Sequence, residues 1–201
     1  MEQAIELLMN EHRLIEQVLG SLETLVVEVE RGLSLERPLL ADYGAFFREF
    51  ADALHHGKEE DDLFARMAQH GFSRESGPLA VMLHEHRAGR AHVAALRQAG
   101  EGSGPLSGVD VQLVVEHASA FVPLLRAHIL KEDRILYPMA VRFLPPDELA
   151  AMASRFATDE TQRRADGSLD RLHGLAERLV SQFRPDAGRM AAAAAAPACA
   201  G

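Results

Sequence analysis

The chain has 201 residues, 47% of them apolar and 25% charged, with a net charge of -9 at neutral pH. That is long enough to bury a real hydrophobic core, while the acidic balance argues against a nucleic-acid partner, which needs a basic face. No apolar run reaches the ~18 residues of a membrane span, so no membrane partner is expected, and the single cysteine, Cys199, cannot form an internal disulfide, so a reducing, cytoplasmic setting is expected.

Ala, Leu, Glu and Arg are abundant and β-branched runs are scarce, a composition that favours helices. Ile5, Leu8, Met9, His12, Ile15, Leu19, Leu22 and Val26 recur at three- and four-residue spacing and predict a first helix over about 2–30. Gly32 and Pro38 end it. A second helix is expected over about 39–70, marked by Tyr43, Phe46, Phe47, Phe50, Leu54, Leu63 and Met67. Pro78 suits the first turn of a third helix reaching about 99, and "GEGSGPLSG" then forms a connection. A fourth helix is expected over about 107–143, with a kink or bulge at the internal Pro123. Two shorter helices follow, the first reaching about 165 and the second covering about 169–183.

Long helices with short connections predict an all-α fold, an antiparallel up-down four-helix bundle with a C-terminal accessory helical hairpin. The expected division is 1–143 for the bundle, 144–184 for accessory helices packed on it, and 185–201 for a disordered alanine-rich tail.

An internal repeat picks out the residues that carry chemistry. Glu11-His12-Arg13 in the first helix matches Glu85-His86-Arg87 in the third. "HHGKEEDDLF" in the second matches "HILKEDRILY" in the fourth when Lys58, Glu59, Leu63 and Phe64 lie on Lys131, Glu132, Leu136 and Tyr137. This register pairs His55 with His128 and selects His55 with Glu59; His56 with Glu60 is the alternative pair.

Residues i and i+4 share one helix face. His55 with Glu59, and His128 with Glu132, therefore each present an imidazole and a carboxylate to one point, and His12 and His86 add imidazoles from the other two helices. Six such side chains make a nitrogen and oxygen site whose two carboxylates can bridge two metal ions. The lack of sulfur argues against a cysteine-type structural zinc site. The donor set favours two non-heme iron ions with an oxo or hydroxo bridge, with manganese or zinc as alternatives.

At these residues the sequence resembles the hemerythrin-like, or HHE cation-binding, family. "EHRLIEQVL", "HHGKEEDDLF", "GPLAVMLHEHRAGR" and "AHILKEDRILYPMA", in that order over about 1–143, carry the resemblance. It implies a four-helix bundle around a di-iron centre, with metal roles for His12, His55, Glu59, His86, His128 and Glu132. Oxygen-carrying hemerythrins have a second histidine one turn along the third helix, where this chain has Arg90 after His86 and Met82 before it. They also use an aspartate five residues after the fourth-helix histidine, a spacing that Asp133 occupies here beside Glu132.

His56, Glu60, His84, Asp133 and Tyr137 stand as outer or alternative ligands. Of these, His84 is expected to face water and Tyr137 to be a core or rim aromatic, while Glu60, Asp61 and Asp62 read as a solvated charged face. His55 and His56 lie about 100° apart on an α-helix, so only one is expected to reach a given metal, which leaves His56 as an outer or solvent-facing residue. His173 is the remote candidate for a fifth histidine. Lys58 and Lys131 are expected to pair with nearby carboxylates, and His70, His92 and His117 to lack a chemical role. With no separate nucleophile or acid–base dyad, no catalytic residue is assigned, and any reaction would come from the metal. The expected partner is a small gaseous or peroxide ligand; the sequence leaves the oligomeric state open.

Overall fold

The computed structural model describes residues 2–195. Seven helices fill it, with no strand among the described residues: α1 (Gln3–Glu30), α2 (37–69), α3 (Gly77–Gly100), α4 (Gly108–Phe143), α5 (Pro146–Ala165), α6 (Ser168–Gln182) and α7 (Ala187–Ala195). The first four form the bundle, α1 packing on α4, α2 on α3 and α3 on α4, and α5 and α6 lie against α1. Helix starts follow local chemistry. Pro38, Pro78 and Pro146 occupy first turns. Ser107 and Asp110 form a reciprocal capping box at the start of α4.

Pro123 does not interrupt α4 as its sequence position suggests. The helix runs α-helical from Gly108 to Lys131, with Pro123 on its exposed face, and the irregular turn lies further on, at Glu132–Leu136. A proline on the solvent side leaves its unbonded carbonyl partner open to water. By length and composition α4 is also apolar enough to cross a membrane. Val114, Ala118, Phe121, Val122, Leu125 and Ile129 nevertheless point into the bundle core.

The core is split in two. One apolar cluster gathers Ile15, Leu19, Leu22, Phe46, Phe47, Phe50, Phe121 and Leu125 with the inner face of α6. The other gathers Ile5, Leu8, Leu63, Phe64, Leu83, Leu136 and Tyr137 with Leu149, Met152 and Phe156 of α5. Between them lies a buried polar layer of His12, His55, His56, Glu59, His86, His128 and Glu132. The helical hairpin thus spans the layer, α5 gripping one apolar half and α6 the other. Arg155 on α5 adds a two-pronged bond to Asp62 at 2.7 Å per arm.

The stretch after α6, expected as a disordered tail, includes a further helix. Residues 187–195 form a helix whose first turn is capped by Asp186, which accepts the Arg189 N–H at 2.8 Å. Pro185 and Met190 seat this segment on Gly20, where a Cβ would stand 2.8 Å from both. The flat face of a glycine is what admits them. The rest of the expected tail, 196–201 with Cys199, lies outside the described residues.

One buried polar junction ties α6 to the bundle. Ser21 donates to the Leu179 carbonyl at 2.8 Å and shares a 2.6 Å hydrogen bond with the Tyr43 hydroxyl. Ser21→Ala leaves two buried groups unsatisfied and is expected to cost about 1–3 kcal/mol. Denaturant melts of the variant test this, and an unchanged midpoint would refute it.

Candidate metal centre

The polar layer sits where α2 and α4 leave α-helical geometry. Phe47–His56 and Glu59–Leu63 in α2, and Glu132–Leu136 in α4, are π-helical. The N–H groups of Gly57, Phe64 and Tyr137 reach back five residues, to the carbonyls of Asp52, Glu59 and Glu132. A π-turn is wider than an α-turn, so neighbouring residues differ less in direction than the usual ~100°. That change brings both His55 and His56 inward. His56, expected as an outer or solvent-facing residue or an alternative ligand, is buried beside the inner groups and does not face solvent; α-helical spacing does not describe this turn.

The inward groups fall into two sets, each with ligand-type atoms within 4.8 Å of one another. One set is His56, Glu59, His86 and His128; the other is His12, His55, Glu59 and Glu132. Glu59 belongs to both. The Nε2 atoms of His86 and His128 stand 3.0 Å apart. His128 Nε2 lies 3.2 Å from Glu132 Oε1, and His12 Nε2 lies 3.3 Å from Glu132 Oε2. His86 Nε2 and His55 Nε2 approach Glu59 Oε2 at 3.5 and 3.7 Å. Several of these buried atoms, among them His55 Nε2, Glu59 Oε2 and both Glu132 oxygens, have no hydrogen-bond partner. Unsatisfied buried acceptors cost several kcal/mol each. A cation between them removes that cost, and the donor chemistry of both sets suits one.

Each of the five imidazoles is oriented from behind through Nδ1. His12 bonds Asp133 and His86 bonds Glu60, both at 2.7 Å. His55 bonds Glu11 and His128 bonds Glu85, both at 2.9 Å. His56 faces Asp52 at 3.4 Å. A carboxylate on Nδ1 turns Nε2 toward the centre and makes it a better donor to a metal. Lys58 pairs with Glu11 and Lys131 with Glu85, carboxylates of the neighbouring helix in each case. Glu60 is therefore not part of a solvated face: it accepts from Arg90 as well as from His86. Asp133 backs His12 and does not join the inner sets. His84 is exposed and away from both sets, and His173 packs its ring near Phe50 at 5.9 Å, so neither supplies a further inner histidine.

The charges around the two inner carboxylates are unequal. Burial alone would raise Glu59, but the imidazoles of His55 and His86 hold its carboxyl well below the usual range. Burial and the negative charge of Glu59 push Glu132 up to about 8. Burial and the adjacent His86 lower His56 well below its ordinary value, which keeps it neutral. Tyr137 donates to Glu59 Oε1 at 2.6 Å and lies 3.3 Å from His12 Nε2. Burial and the neighbouring carboxylates keep its hydroxyl protonated.

A helical bundle whose core opens into two facing sets of imidazoles and carboxylates defines a cation-binding protein of the all-α kind. The family model of the Hemerythrin HHE cation binding domain matches residues 3–140. The chain belongs to that family. No curated protein and no solved structure shows a significant match to it.

Two outcomes are expected. The orienting carboxylates support metal retention, so Glu11→Ala and Glu85→Ala should each lower metal affinity about 10–100-fold by competitive chelation, and unchanged affinity would remove them from this role. In chelator-treated protein, the raised Glu132 pKa means the fold holds an extra proton between the ordinary carboxylate value and about 8. Its stabilising contribution is then complete below the ordinary value and lost as pH rises toward about 8. Glu132→Gln should flatten the pH dependence of denaturation in that window; an identical slope would contradict the assignment.

Proposed function

We propose that this chain is a non-heme di-iron protein that binds O2, NO or peroxide at an open iron position, for sensing, storage or protection against oxidative or nitrosative stress. The observation that carries this reading is the pair of buried four-residue sets that share Glu59 and leave inward atoms without partners. Glu59, His86 and His128 would hold one ion, with His56 facing the same position, and His12, His55, Glu59 and Glu132 would hold the other. Imidazole and carboxylate without sulfur suit iron, and paired carboxylates in a bundle core suit two ions. When bound, the iron pair supplies redox chemistry and a position for a small ligand.

The chain's own groups set the conditions for that chemistry. The apolar clusters on either side keep the layer dry, which strengthens electrostatic interactions inside it. The carboxylates behind the imidazoles fix their orientation. The His12 and His55 set has two imidazoles and two carboxylates where the other has three imidazoles and one carboxylate, which makes the two ion positions inequivalent. The Tyr137 hydroxyl stands on the His12 side and donates its proton to Glu59 Oε1, the two oxygens 2.6 Å apart. That proton favours a second reading, an enzyme that turns over peroxide or NO, in which Tyr137 donates to the bound molecule.

Glu59→Ala is the decisive variant, because it removes a donor from both sets. Elemental analysis of the purified wild-type protein is expected to give two irons per chain, with a visible absorption band that shifts on adding azide. Glu59→Ala should lose two-ion occupancy. Two irons retained at wild-type affinity would sink the assignment.

A further inference from the structure

The repeat that builds the centre is obeyed in space. Glu11, His12, His55, Lys58, Glu59 and Glu60 have Glu85, His86, His128, Lys131, Glu132 and Asp133 as counterparts. The two halves are braced in the same way: within each, the Lys58–Glu11–His55 chain matches Lys131–Glu85–His128, and between them Glu60 on His86 matches Asp133 on His12. His56 breaks the pattern, because its counterpart is Ile129. The six inner residues related by the repeat form a complete set without it.

His56 is also the least firmly held of the five imidazoles. Its contact to Asp52 is 3.4 Å, against 2.7 to 2.9 Å for the other four. Asp52 is committed elsewhere, accepting from Arg90 Nε at 2.8 Å. His56 is 6% exposed, whereas the other inner residues are at 1% or less. That exposure opens on a cavity of about 220 Å³ between α2, α3 and α4, walled by Phe47, Ala51, Gly89, Val93, Phe121 and Leu125. Arg48, Arg90, Arg97 and Asp52 stand at the same cavity and give it a net positive edge.

Building on the di-iron reading, we propose that this cavity is the route by which a small ligand reaches the centre, and that His56 is its gate. His56 is a detachable group; the six repeat-related residues retain the ions. Apolar walls admit O2-sized and NO-sized molecules, and the arginine edge favours a small anion such as azide. Gly89 sets the bore: even a Cβ there would stand 3.4 Å from the Phe121 ring, so a larger side chain fills the passage.

The test uses the full chain with azide and xenon as probes. His56→Ile installs the residue found at the counterpart position. It is expected to keep two irons per chain and to bind azide about tenfold faster in stopped flow, a barrier change of about 1.4 kcal/mol. Gly89→Leu, with Val93→Phe as a second filling variant should the first fail to fold, is expected to keep two irons and slow azide about tenfold. Xenon should occupy the cavity in metal-free wild-type protein and be absent from the filled variant. Loss of one iron in His56→Ile would make it a retaining ligand and overturn the gate. An unchanged azide rate in the filled variants, or no xenon in the wild type, would overturn the route. If the wild type holds no iron pair or binds no azide, the di-iron reading fails instead, and xenon alone decides whether the cavity admits small apolar molecules.

Discussion

Two carboxylates face a common point in the buried interior of this bundle. Glu59 and Glu132 are both fully buried, and each raises the cost of ionising the other. Without a cation they settle into an unequal pair, one ionised and one inclined to keep its proton. Much of the surrounding structure answers that constraint. Five imidazoles surround the pair, and each is backed by an acid that fixes which nitrogen points inward. Two lysines hold two of those acids in turn. The polar layer runs through all four bundle helices and divides the apolar core, so the fold must be held together across it.

The C-terminal hairpin provides that hold, and it lies beyond the part of the chain that matches the family. Phe156 of α5 belongs to one apolar half, and Leu169, Leu172, Leu175 and Leu179 of α6 belong to the other. The hairpin also makes the two repeat halves unequal. It covers the α1 and α2 side, where Lys58 is 8% exposed and lies 5.6 Å from the Phe156 ring centre. Its counterpart Lys131 is 24% exposed. The same hydrogen-bonded chain from lysine to histidine thus has a better covered lysine on one side than on the other. An electrostatic link in a shielded place is stronger than the same link in water, so the two sets of donors differ in their surroundings as well as in their composition.

Much of this was legible before any coordinates. Helical periodicity with Gly and Pro breaks located the four long helices to within a few residues, because those signals are local. The repeat brought His12, His55, Glu59, His86, His128 and Glu132 together as a group, and the structure gathers these six in the buried layer. Reading Lys58 and Lys131 as carboxylate partners also agrees with the packing. The misreadings share one origin. His56 and Glu60 were judged by α-helical angles and by the local run of charges, yet a π-turn and the approach of α3 decide where they point. The helix at 187–195, read from its low complexity, makes contacts to α1 and α4 that its own composition does not announce.

By itself, the amino-acid sequence determined the helices, the duplicated histidine and glutamate pattern and hence that the chain suits a cation, since side-chain chemistry and i to i+4 spacing are properties of one stretch of residues. Tertiary structure alone decided that a fifth imidazole joins the layer, which acid backs which ring, and which half the hairpin shields. Those choices depend on distances between helices, and hydrogen bonds and burial between remote segments exist only once the helices have packed.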